Sequence, residues 1–453
     1  MSYKPSENLV GTKTLVRIRD LNHDGEGVGR LENLVTFVPG ALPGEEVKIE
    51  IVEQRKNYLR AILIEIAIKS PDRVTPPCSY FNTCGGCQLQ HLAYQAQLAW
   101  KRSQVEAALF RIGKLELPVL PTIGMANPYR YRNKSRFHLT VDKDKLLAGF
   151  FVTKSHDLIN INDCLIQHPL NIEALTALRQ ATEICRGQGK TTFDNPAFFY
   201  DAELRTSFFA GQVVITLGGR QDSPDSAFLE LINRELINTL GHRLAGLVIK
   251  NPGKNGNAYL EVSGSKWIEE KIGSYRYRIS PQSFFQVNPV QAGELFKLTA
   301  AYAGKPQTAI DLYCGTGNFS MHLSQVAQQV IGIDSEESAI ADARFNASLN
   351  GIKNTRFVVG RVEQIADLLK EGTDPKTIIL DPPRKGCSPE LLQSLADAKP
   401  DRIVYVSCNP ATLARDLKLL HSKGYLPLKI QPVDMFPQTS HVETVVLITR
   451  VEK

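Results

Sequence analysis

The chain has 453 residues, 43% hydrophobic and 22% charged, the proportions of an ordinary globular protein long enough for roughly two to four domains. Its formal net charge of +6 suits a polyanionic partner without establishing one. The composition excludes a disordered or fibrous chain, and no run approaches the about 18 apolar residues of a membrane span.

The N-terminus, Met1 to Val10, lacks the apolar core of a signal peptide, so the expected location is the cytoplasm. In that reducing setting the eight cysteines are expected as thiols, and clustered ones point to metal or catalysis.

Residues 10 to about 68 read as all-β. Thr14–Ile18, Leu34–Val38, Glu46–Val52 and Ala61–Ile66 are short β-branched runs separated by glycine turns. Such strands in one short segment predict a small barrel of the oligonucleotide-binding type. Ser70–Pro77 reads as a linker. In Cys78-x5-Cys84-x2-Cys87, the two glycines after Cys84 let the backbone curl around a metal. Four thiolates hold an iron–sulfur cluster, and Cys164 is the best fourth candidate. Zinc is the rival, although zinc sites usually pair two close Cys-x-x-Cys units.

Trp100, Val105, Leu109 and Ile112 recur at helical spacing, which predicts a helix from Leu98 to about Lys114. Tyr129–His138 alternates aromatics with cations, a mixture that suits single-stranded RNA: rings stack on bases and cations meet phosphates. From 120 to 279, strand and helix signals mix.

From 280 onward strands alternate with helices. Ala309–Leu312, Val330–Ile333, Thr377–Leu380, Ile403–Val406 and Thr444–Ile448 read as strands of a doubly wound sheet. Asp311-Leu-Tyr-Cys-Gly-Thr-Gly317 closes the first of them with a Gly-x-Gly turn. Asp334 follows at the end of the next, placed for ribose hydroxyls. Ser320 stands where a third glycine would complete a pyrophosphate fingerprint, which argues for a nucleoside ligand such as S-adenosylmethionine. Asp381-Pro-Pro-Arg384 is a stiff loop after a strand. Cys408, between Ser407 and Asn409-Pro410, ends another and is placed as a nucleophile. Glu443 enters the last strand as its candidate base. Cys185 and Cys314 read as core residues, and Cys387 stays unassigned.

Taken in order, the cysteine set, Ser280–Asn288, Asp311–Phe319, Asp381–Arg384, Ser407–Asn409 and Phe436–Glu443 resemble the motifs of the RNA uracil-5-methyltransferases over nearly the whole chain. The resemblance is strongest to the iron–sulfur- and TRAM-containing 23S rRNA (uracil-C5)-methyltransferases, with tRNA uracil-54 methylation as the alternative. It implies three domains: a TRAM β-barrel at 1–68, a central mixed α+β RNA-binding domain with an iron–sulfur cluster at 69–279, and a C-terminal Rossmann-like methyltransferase domain at 280–453. The helix at about 94–116 is expected to pack on the catalytic domain. The resemblance places S-adenosylmethionine contacts on Gln286, Tyr313, Asn318, Asp334 and Asp381, and a [4Fe-4S] cluster on Cys78, Cys84, Cys87 and Cys164. Position 361, an arginine here, receives no role.

The implied chemistry makes Cys408 the nucleophile at uracil C6 and Glu443 the general base at C5, with the uracil flipped from its stack. A depressed thiol pKa is expected for Cys408. The expected partner is ribosomal RNA, with no membrane, and the expected state is a monomer. A cytosine-5 methyltransferase typically has proline or threonine beside its cysteine, and an adenine N-methyltransferase needs no cysteine. A non-catalytic iron–sulfur RNA-binding protein leaves Cys408 and Glu443 unexplained.

Overall fold

A computed structural model of the chain describes residues 8–142, 145–187, 199–219, 226–253, 256–362 and 376–451. It divides into two compact units, one running to Gln104 with Gln438–Ser440, the other comprising Val105–Pro437 and the chain from His441 onward.

In the first unit six strands form one sheet: β1 (Lys13–Arg17), β2 (Asp20–Leu21), β3 (Gly27–Leu31), β4 (Leu34–Val38), β5 (Glu46–Gln54) and β6 (Tyr58–Ile68). Their order is β1-β5-β6-β4-β3-β2. Just past β1, Arg19 N–H bonds Val28 O of β3 at 2.9 Å, so the sheet curls back on itself. Alternation sends Val16, Val47, Ile49, Ile51, Leu59 and Ala61 inward to one core. Buried Glu45 accepts Nε of Arg73 at 2.5 Å and ties the barrel to the following segment. Gln438 is held by reciprocal side-chain and main-chain bonds to Gln97 at 3.0 and 3.2 Å.

Helix α1 (Tyr94–Ala108) begins in the first unit and continues into a π-helical turn, Leu109–Gly113. In the second unit, β7 (Lys134–Asp142), β8 (Lys145–Phe151), β9 (Leu158–Asn160), β10 (Phe199–Thr206), β11 (Val213–Gly219), β12 (Leu244–Gly253) and β13 (Gly256–Gly264) make a sheet ordered β13-β12-β11-β10-β7-β8-β9. Helices α2 (Pro169–Gly187) and α3 (Ser226–Leu240) belong to it. A hairpin follows, β14 (Ile268–Ile272) and β15 (Tyr275–Ile279).

The catalytic sheet contains β16 (Thr308–Leu312), β17 (Gln329–Asp334), β18 (Thr355–Val359), β19 (Lys376–Leu380), β20 (Arg402–Ser407), β21 (Tyr425–Val433) and β22 (Glu443–Arg450), in the order β18-β17-β16-β19-β20-β22-β21. The first five are parallel, and their near-continuous apolar runs are what a sheet covered on both faces requires. β22 lies antiparallel between β20 and β21, so the sheet is mixed rather than wholly parallel. On one face α7 (Pro389–Ala398) and α8 (Pro410–Ser422) supply Leu391, Leu395, Leu413 and Leu417, joined by Val105 of α1 and Leu109. On the other, α4 (Pro289–Ala303) supplies Leu295 and Phe296, joined by Tyr277 and Ile279 of the hairpin. Helices α5 (Asn318–Leu323) and α6 (Glu337–Leu349) follow β16 and β17. Among the described residues no helix is long and apolar enough to cross a membrane.

Candidate active site

The strand ends determine which side chains meet. β20 and β22 are antiparallel and their last paired residues are Ser407 and Thr444. One step further sets Cys408 opposite Glu443. Cys408 then enters α8, whose N-cap Asn409 accepts the Ala411 N–H at 3.0 Å. The Asp381–Arg384 loop, which follows the neighbouring β19, is tied to this turn. Arg384 O accepts Nδ2 of Asn409 at 3.2 Å and the Thr412 hydroxyl at 3.3 Å.

These groups sense one another. Burial pushes the Cys408 thiol up to about 11, with the Glu443 and Asp381 carboxylates adding to the rise and Arg384 opposing it. Burial pushes Glu443, only 6% exposed, up to about 8; Asp381 adds and Arg384 opposes. Asp381 rises to about 7 by burial and by the Asp311 charge. The expectation of a depressed thiol pKa is therefore corrected. A half-buried sulfur holds its proton chiefly because burial leaves a thiolate poorly solvated, and the neighbouring carboxyls add to that cost when ionised. Arg384 is the nearby cation that lowers both groups, and its role in the site was not drawn from the sequence.

The glycine turn lies at the end of the adjacent strand. Tyr313, Gly315 and Gly317 have φ of 65°, 52° and 83°. A Cβ on Gly317 would stand 3.1 Å from Phe357 and 3.2 Å from Ala343, whereas one on Gly315 would meet nothing within 4 Å. The turn is thus packed on one side and open on the other, as a ligand cradle requires. Asp334 accepts Gly315 N–H at 2.9 Å through one oxygen and Glu336 N–H at 2.9 Å through the other. Asn318 opens α5, its Oδ1 accepting the Thr316 hydroxyl at 3.2 Å. Behind the turn, fully buried Asp311 accepts the Ser320 hydroxyl at 2.5 Å, so the serine that replaces a third glycine has a structural task. Gln286 is buried in the loop between β15 and α4, and its main-chain O faces Asn133 Nδ2 at 3.4 Å. These residues, with the open side of Gly315, fit a nucleoside-bearing methyl donor.

Cys78, Cys84 and Cys87 occupy one loop of the first unit, and Cys164 follows β9 in the second; all four are half-buried. Gly86 N–H approaches the Cys84 sulfur at 3.4 Å, and burial followed by the Cys78 charge raises the Cys84 thiol. Three thiols on one loop with an amide directed at sulfur suit a thiolate-bound metal group. Among the described residues, no three His, Cys, Asp or Glu side chains are gathered closely enough to hold a metal ion.

Three side chains of the Tyr129–His138 segment are engaged within the protein rather than left open for RNA. Arg130 grips Asp163 with two bonds of 2.7 Å and reaches Cys164 O at 3.1 Å. Arg136 binds buried Asp201 at 2.5 Å, and Tyr131 is buried with its hydroxyl on Pro437 O at 3.0 Å. These side chains hold the fold.

A family profile described as tRNA (Uracil-5-)-methyltransferase matches residues 266–451, and one described as TRAM domain matches 7–64. An RNA methyltransferase of Caldanaerobacter subterraneus subsp. tengcongensis is 40% identical over 97% of this chain and 99% of its own length. One of Clostridium acetobutylicum is 39% identical over 97% of both chains. The crystal structure of Pyrococcus abyssi tRNA (uracil-54, C5)-methyltransferase in complex with S-adenosyl-L-homocysteine aligns with a TM-score of 0.75 and 29% identity, covering 96% of this chain and 99% of that one. The chain belongs to the S-adenosylmethionine-dependent RNA uracil-5-methyltransferases.

Proposed function

We propose that the chain methylates uracil C5 in 23S ribosomal RNA through a covalent bond between Cys408 and C6. The observation that carries the chemistry is the Cys408–Glu443 juxtaposition across β20 and β22, with Asp381 and Arg384 beside it. Cys408 Sγ adds to C6 and places electron density on C5. S-adenosylmethionine, held by Gln286, Tyr313, Asn318, Asp334 and Asp381, supplies the electrophilic methyl group. Glu443 takes the C5 proton, and Cys408 leaves as C5=C6 re-forms. Because the resting thiol holds its proton, substrate binding must be coupled to deprotonation of Cys408.

The TRAM barrel with the three-thiol loop supports a ribosomal target, since that combination is the branch of the family the chain resembles. Methylation of tRNA is the second reading, favoured by the full-length likeness to the Pyrococcus abyssi enzyme. Radiolabelled methyl transfer to unmodified rRNA and tRNA transcripts, followed by nucleoside analysis, separates them. 5-Methyluridine in 23S rRNA alone is the expected result. Label only in tRNA establishes the second reading, and label at N or at cytosine overturns both.

We further propose a [4Fe-4S] cluster on Cys78, Cys84 and Cys87, with Cys164 as fourth thiolate, in a structural role. Protein purified without oxygen should be brown, with about four irons per chain. Cys164→Ala should bleach it. Colourless protein carrying stoichiometric zinc would refute the cluster.

A further inference from the structure

The sheet of the central region carries an unbalanced group of cations on one face. In the β7–β10 register Lys134 stands directly opposite Arg205, a like-charge pair that destabilises a sheet unless something compensates it. Lys134 pairs with Glu203 at 2.8 Å. Arg205 is 6% exposed, and among the described residues its one side-chain hydrogen bond runs from Nη2 to Ser283 O at 3.2 Å. Its Nε is buried without an acceptor. Lys250, on β12, is the third cation whose charge Lys134 feels. It is half-buried, and across the β12–β13 register it faces Tyr259.

The other carboxylate whose charge reaches Arg205 is Asp342, and its oxygens are occupied. They accept the Ser280 and Ser283 hydroxyls at 2.8 and 2.7 Å and face Arg278 at 3.4 Å. On this face of β10, Glu203 pairs with Lys134 and Asp201 with Arg136, so among the described residues neither carboxylate is bonded to Arg205 or Lys250. A guanidinium removed from water without an anion is costly to fold, and an arriving anion would offset that cost.

The position identifies the anion. Ser283 belongs to the 280–288 loop, which also presents Gln286 and the strongly exposed Phe284. Asn133, next to Lys134, donates its N–H to Val287 O of the same loop at 2.8 Å. We propose that Lys134, Arg205 and Lys250 seat one backbone phosphate of the RNA substrate beside the 280–288 loop, with the Tyr259 hydroxyl available as a further donor. A phosphate offers the guanidinium two oxygens at once, which a lone carbonyl such as Ser283 O does not. Half-burial leaves both lysines accessible from solvent, while Arg205 forms the floor.

The inference rests on the chain acting on RNA, and the test keeps the two claims apart. Binding of unmodified rRNA and tRNA transcripts is measured against salt for wild type, Lys250→Ala, Lys250→Glu and Lys134→Gln, with S-adenosylmethionine binding as the folding check. Lys250→Glu is expected to weaken binding of the methylated transcript by about tenfold or more. It is also expected to reduce the slope of log K against log salt by about 0.7, the value for one lost single-strand phosphate contact. The loss should appear in KM for RNA rather than in kcat, and Lys250→Arg should restore it. Affinity and slope unchanged in Lys250→Glu overturn the proposal. So does a fall in kcat with KM and slope intact, since that would make the group a brace for the 280–288 loop. A wild type that neither binds nor methylates either transcript refutes the RNA reading itself.

Discussion

Cys408→Ala should abolish uracil methylation, and Glu443→Gln should leave the protein joined to methylated RNA. The two outcomes differ because the residues act at opposite ends of one covalent cycle. Without the sulfur no bond to C6 forms, C5 stays a poor nucleophile and no product is made. With the sulfur present and the base removed, addition and methyl transfer proceed, but the C5 proton has no acceptor. Elimination then stalls, and a denaturing gel should show a slow RNA-linked band that wild type shows only faintly. The double variant should lose that band. Normal turnover of Glu443→Gln would assign the base to another group, with His441, exposed two residues earlier, or water as the candidates. Methylated product from Cys408→Ala would sink the covalent mechanism. Gln matches Glu in shape, and it removes a buried ionisable group rather than creating a cavity, so the fold should survive.

The second large effect is that activity and stability should run in opposite directions with pH, through the same carboxyl. Glu443 is held at about 8 by burial first and Asp381 second. As a base it must be ionised, so this group alone should raise kcat/KM for RNA about tenfold per pH unit below about 8, and above 8 the rise should continue only through the Cys408 thiol, held up to about 11. Stability follows the other sign. A raised carboxyl pKa means that the folded state holds its proton more tightly than the unfolded chain. The contribution is complete below the unfolded value of 4.5 and is lost as pH rises through about 8. The loss from this one group is at most ~1.4 kcal/mol per pH unit. Asp381, raised to about 7, adds loss of the same sign. Thermal melts should therefore show Glu443→Gln equal to wild type at pH 4 and more stable at pH 9. Equal melting at both pH values, or a kcat/KM already flat at pH 6, would show that Glu443 titrates like an ordinary exposed glutamate.

The chemistry of this protein is written locally, and so its sequence is informative. A β-branched run ending in Ser407-Cys408-Asn409-Pro410 has few options besides a strand, a loop residue and a capped helix, and β20 and α8 are those elements. The Asp311–Gly317 stretch likewise needs positive φ at its glycines, and the turn adopts it. What escapes such reading is whatever depends on the partner across a strand. Arg130 and Arg136 look like free cations beside aromatics, but Asp163 and Asp201 bind them, and neither carboxylate is close in sequence. That β22 runs antiparallel is decided by sheet assembly rather than by its own apolar run, and that direction brings Glu443 to Cys408. The sequence alone determined the N-terminal TRAM barrel, the methyltransferase sheet that follows it and the glycine turn after β16, because each is encoded within a few consecutive residues. Only the tertiary structure decided the protonation of Cys408 and Glu443 and the cation group at Lys134, Arg205 and Lys250. Burial, register and charge proximity belong to pairs of distant segments, and a string of residues does not contain them until it folds.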